Sequence, residues 1–122
     1  MMTKKEIAND FLKMLTSQQV DAAFEKYVHT GFIHHNMHFA GDRNSFYEAI
    51  KSGMKNVKTE LVVLRTLEDN DIVAVHAKVK FDNAPNWIAL VHFFRFKDEK
   101  IIEEWEVSNE VPEHIANGNG AF

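Results

Sequence analysis

At 122 residues, 45% of them hydrophobic, the chain has the size of one domain and enough apolar material to bury a core. A net charge of −4 with no basic block argues against a nucleic-acid partner, and the absence of cysteine removes disulfides and thiol chemistry. The start, MMTKKEIANDF, has no apolar leader core, and the longest apolar-rich run, WIALVHFF, is far too short to span a bilayer, so no membrane partner and a cytoplasmic location are expected.

In chain order, TKKEIANDFLKMLTSQ reads as a helix. Ile7, Phe11, Met14 and Leu15 recur at helical spacing, and Thr3 with Glu6 three residues later has the form of a capping box. VDAAFEKYV continues as a short second helix, with Val20, Phe24 and Tyr27 or Val28 on one side, until Gly31 breaks the pattern. FIHHNMHF reads as a short strand. GDRNSFYEAIKSGMKN is a third helix, with Phe46, Ile50 and Met54 in steps of four and Asp42 or Asn44 available as its cap. VKTELVVLRTL, IVAVHAKVKF, WIALVHFFRFK and IIEEWEVSN are strands by their β-branched and aromatic content. The turn compositions EDND, DNAPN and DEK between them imply antiparallel hairpins. The tail ANGNGAF is expected to be extended. Together these elements predict a single α+β domain, residues 1–122, with helices packed on a bent, mostly antiparallel sheet.

Chemistry depends on which side chains share a face. Alternation along Phe32–Phe39 sets Phe32, His34, Asn36 and His38 against Ile33, His35, Met37 and Phe39. The second set is apolar apart from His35, which makes His35 the histidine expected inside, with Asn36 nearby. His34 and His38 are then left for solvent or a subunit contact.

Pairing Phe81 with Trp87 across DNAPN sets His76 opposite His92. A three-residue turn, Asp98 to Lys100, sets Phe94 opposite Glu104 and His92 opposite Glu106. Directly opposed residues share a face, so His76, His92 and Glu106 form a line across three strands, provided that both loops have the assumed length. A carboxylate beside two imidazoles on a partly apolar concave face suits general base catalysis. It also suits a structural polar network with no turnover.

The same residues resemble a known family. FIHHN, VAVHAKV, FFRFKDEKIIEEWEV and EVPEHIANGNGAF are similar, over essentially the whole chain, to the SnoaL-like polyketide cyclase branch of the nuclear-transport-factor-two-like superfamily. That resemblance implies a cone-shaped fold with a pocket between helices and sheet, and turns positions 76, 92, 104 and 106 toward it. It also implies an acid/base role at Glu106, where the branch carries Asp. Glu104 stands where the branch has His before Trp, and Glu99 stands at its turn Gly. The expected activity is proton abstraction α to a carbonyl in a small apolar compound, of the aldol cyclase or isomerase type. Glu106, His76 and His92 are the expected catalytic residues, and His35, Asn36, Phe94 and Glu104 the expected substrate contacts. Enolate chemistry of this kind calls for no organic cofactor. No metal is expected, because no metal-ligand spacing motif is present. Trp105 alternates with Glu104 and Glu106, and with Trp87, Val91 and Phe93 it gives the convex face an aromatic, apolar row that fits a homodimer interface. The rival reading is a domain of the same fold that binds a ligand, or a partner, without turnover.

Overall fold

The computed structural model describes residues 1–122. Helix α1 (Lys4–Thr16) and helix α2 (Val20–Tyr27) lead directly into strand β1 (Val28–His34), and α3 (Arg43–Met54) follows. Four strands complete the chain: β2 (Thr59–Asp69), β3 (Ile72–Phe81), β4 (Ile88–Lys97) and β5 (Lys100–Glu110). The capping box is formed, with the Thr3 side chain accepting from the Glu6 N–H at 3.1 Å and Glu6 accepting from the Thr3 N–H at 2.9 Å. Asp42 caps α3 by accepting from the Ser45 N–H at 3.0 Å.

The strands form one open mixed sheet in the order β1-β5-β4-β3-β2. β2 to β5 are the expected antiparallel meander, whereas β1 joins the far edge parallel to β5. The strand expected at Phe32–Phe39 lies earlier, because the backbone turns after His34, where the Asn36 side chain accepts from the His38 N–H. The tail after Glu110 carries no strand or helix, and Phe122 lies against Lys78, its ring centroid 4.7 Å from the ammonium.

The core lies between the helices and the concave face. Phe11 meets Phe24 and Phe94 edge to face at 5.9 and 5.8 Å, and Phe46 packs on Phe24 and Phe32 at 5.8 and 5.2 Å. On β3 the inward residues are Val73, Val75, Ala77 and Val79, all buried.

Two registers govern the site. Between β3 and β4, Val75 opposes His92 and His76 opposes Val91, one residue away from the expected pairing. The loop is longer than DNAPN, since the last ladder pair is Val79 with Ile88. Asp82 bonds Lys58, and Lys80 donates to the carbonyls of Phe81 and Ala84, so this segment folds on itself and does not extend the β4 ladder. A slip of one residue reverses the face. His76 therefore points outward, within 2.8 Å of Arg65.

Between β4 and β5, His92 does oppose Glu106, and Phe94 does oppose Glu104. The turn, however, holds two residues, Asp98 and Glu99, with Lys97 paired to Lys100. A bulge at Ile102 absorbs the difference, and it explains how Ile101 and Glu104 both come to be buried although they are three positions apart.

Candidate functional site

Leu12 and Leu15 of α1, Phe46, Ile50 and Met54 of α3, and Leu61, Val79 and Leu90 of the sheet enclose a cavity of about 90 Å³. Four polar residues also line this apolar space: Thr16 at the end of α1, and His92, Glu104 and Glu106 from the sheet. Larger grooves elsewhere on the surface are lined mostly by polar residues of α1, α2, α3 and β2 and the turns beside them, and neither holds this cluster.

His92 Nδ1 lies 2.9 Å from Glu104 Oε1 and 3.7 Å from Glu106 Oε1. The His92 and Glu104 side chains are only 11% and 4% exposed, while that of Glu106 is 32% exposed. Nδ1–H therefore donates to Glu104, and the ring stacks on Phe94 at 5.5 Å and 7°. Burial opposes a charge on His92, yet the hydrogen bond and charge of Glu104, with the charge of Glu106 added, outweigh it and raise the imidazole pKa. Burial pushes Glu104 upward. His92 opposes that rise and Glu106 adds to it. Both shifts make the cluster hold protons more firmly than separate groups would, and the buried pair titrates as a unit. Glu104 Oε2 is buried without a hydrogen-bond partner. A buried carboxylate oxygen in that state is unusual in a folded chain.

Of the residues singled out from sequence, Glu106, His92 and Glu104 come together here. His76 does not, because of the register described above. His35 is also outside. Its ring lies flat on Trp105 at 4.9 Å and 1°, and its Nε2 is 2.7 Å from Glu103 Oε2 on the outer face. Asn36 sits in the turn after β1, its side chain spent on the His38 N–H. Phe94 is fully buried between Phe11 and His92 and supports the site without lining the cavity.

The histidine of β1 that does face inward is His34, 5% exposed and packed against Phe39 and Phe46 at 4.9 Å each. Its Nδ1 accepts from the Asn36 N–H at 3.1 Å, so its Nε2–H donates to the Ala40 carbonyl at 2.6 Å. With both nitrogens engaged, His34 is a wall residue. The parallel pairing of β1 with β5, which sets His34 beside Glu104, is the signal that alternation alone could not supply.

No family model matches the chain, and no curated protein matches it. Solved structures do. A SnoaL-like polyketide cyclase from Agrobacterium tumefaciens superposes with a TM-score of 0.72 at 16% identity, covering 89% of this chain and 93% of that one. An NTF2-like protein from Cytophaga hutchinsonii gives 0.69 at 16% identity, covering 89% and 92%. An LEH-like epoxide hydrolase from M. tuberculosis gives 0.70 at 14% identity, covering 87% and 82%. The fold is thus the nuclear-transport-factor-two-like fold. SnoaL-like polyketide cyclases and an epoxide hydrolase-like protein share it with this chain, at identities that carry the fold and leave the activity to the site.

Proposed function

We propose that the chain binds a small apolar carbonyl compound in this cavity and moves a proton α to the carbonyl, with Glu106 as acid/base. The observation that carries this reading is the placing of a partly exposed carboxylate and a buried imidazole within 3.7 Å of each other on the wall of an apolar cavity. Glu106 takes the proton as the C–H bond breaks, and the electron pair moves to the carbonyl oxygen. His92, whose charged form Glu104 and Glu106 favour, stabilises the negative charge that develops on that oxygen. Glu104 fixes the imidazole through Nδ1. In an aldol closure the enolate carbon attacks a second carbonyl of the same molecule, and Glu106 returns its proton to the new alkoxide.

The SnoaL-like cyclase among the structural neighbours supports the same class of chemistry. The cavity, at about 90 Å³, has room for roughly three waters at ~30 Å³ each. That suits a carbonyl and its flanking carbons, whereas a ring system requires the α1, α3 and β2 walls to part.

The test needs no natural substrate. Exchange of the α-hydrogen of simple 1,3-dicarbonyl compounds in D₂O, followed by NMR, should be faster with protein than in buffer. Glu106→Gln should reduce that acceleration by roughly two to four orders of magnitude. Exchange at the wild-type rate in the Gln variant would overturn the reading and leave a domain that binds without turnover.

A further inference from the structure

We infer that His92, Glu104 and Glu106 also form a binding site for a divalent transition-metal ion, in which the cation takes the space that the carbonyl group uses. Each of the three offers a ligand atom, and these atoms all lie within 4.8 Å of one another. Donors held about 2.0–2.2 Å from one ion at tetrahedral or octahedral angles stand roughly 3.0–3.5 Å apart. His92 Nδ1 is 2.9 Å from Glu104 Oε1 and 3.7 Å from Glu106 Oε1, close to that spacing before any ion arrives, and binding releases the Nδ1 proton to solvent so that the nitrogen lone pair takes the ion.

A second observation points independently to a cation. Glu104 is 96% buried by side chain, since only 4% is exposed, and its Oε2 has no partner. An ion bound through both oxygens of Glu104 satisfies it. Two carboxylates match a dication in charge, and the cavity leaves room for water to complete the coordination. One imidazole with carboxylate oxygens suits manganese, cobalt or zinc better than a thiolate-seeking ion. A helical ligand motif could not reveal this set, because the ligands come from two antiparallel strands through the pairing of His92 with Glu106 and Phe94 with Glu104.

The inference does not rest on the proton-transfer reading. A bound cation engages the Glu106 oxygens that the proton transfer uses, so the two occupants exclude each other.

The experiment is titration of the intact, metal-stripped protein with cobalt(II), read by its visible absorption and by calorimetry, with no carbonyl compound present. One ion per chain is expected, and zinc should displace it. His92→Gln and Glu104→Gln should each weaken binding by at least about tenfold, the loss that even a partner behind a ligand can produce. Glu106→Gln, at a partly exposed position that does not threaten folding, should weaken it too. His35→Gln, on the outer face, should leave it unchanged. No stoichiometric binding would overturn the inference, as would binding that survives all three cavity substitutions. Neither result touches the exchange assay.

Discussion

His92 and Glu104 are costly residues to place where they are. Two ionisable side chains, 11% and 4% exposed, sit among phenylalanines and leucines and are tied by one hydrogen bond of 2.9 Å. Removing one partner strands the other in a medium that cannot solvate it, which typically costs about 3–5 kcal/mol. Replacing both with apolar residues of similar size removes the penalty with the pair. We therefore expect His92→Leu and Glu104→Leu each to lower stability by about that amount, and the double variant to lose much less than the sum. Denaturant unfolding of the four proteins measures the coupling, and strict additivity would show that the pair is not energetically joined. A second outcome belongs to Glu106. Glu106→Asp shortens the carboxylate by one methylene and installs the residue that the cyclase branch carries, so dicarbonyl exchange should be retained at least in part. Loss as deep as in Glu106→Gln would mean that the reach of Glu106, as well as its charge, is set by this cavity.

The turn between β4 and β5 connects local strain to site geometry. Asp98 and Glu99 have φ of 50° and 65°, both in the left-handed region required by a two-residue hairpin of this hand. A residue with a Cβ is disfavoured there by roughly 1–2 kcal/mol, and Asp tolerates it better than Glu. Glu99→Gly, which installs the glycine of the resembling family, should stabilise the protein by up to about 1 kcal/mol, read as a rise in the denaturation midpoint. A fall would show that Glu99 contributes something its backbone conformation conceals.

This hairpin also shows how far the sequence carries. Turn composition located it and the pairing of His92 with Glu106 was legible, although the loop is one residue shorter than expected and a bulge at Ile102 restores the register. The neighbouring hairpin was less forgiving, because its longer loop slipped His76 to the outer face. The alternation of Val73, Val75, Ala77 and Val79 with Ala74, His76, Lys78 and Lys80 already pointed that way. An assumed loop length outweighed a direct signal. On β1 no such signal existed, because Phe32 and Ile33 are equally apolar. Only the parallel contact with β5 and the turn after His34 decide which histidine goes inside.

At the scale of the whole molecule, the outer face of the sheet remains to be accounted for. Leu67, Ala74, Phe93 and Trp105 stand in one row across β2, β3, β4 and β5, with Val91 opposite Val107 alongside. Leu67 is 63% exposed and Val107 65%, and Ile33 and Phe93 are also exposed. Trp105 is partly covered by its own chain, by the stacked His35 and by Arg95 at 5.7 Å, while Trp87 is capped by Lys78 at 4.7 Å. A contiguous apolar patch of this kind on an otherwise charged surface marks an interaction site. We propose that its partner is a second copy of the chain, packed sheet against sheet about a two-fold axis, so that each apolar row meets its own equivalent. A stable contact of this kind buries about 800 Å² on each side. Light scattering at micromolar concentration should therefore report a dimer. Leu67→Lys with Val107→Lys should convert it to a monomer that keeps its fold, because both side chains are largely in water within one chain, and helical and strand signals in circular dichroism should not change. A monomeric wild type would remove the proposal. The cavity lies on the opposite, concave face, so the monomeric variant should still bind cobalt and still exchange the α-hydrogen, which separates assembly from chemistry.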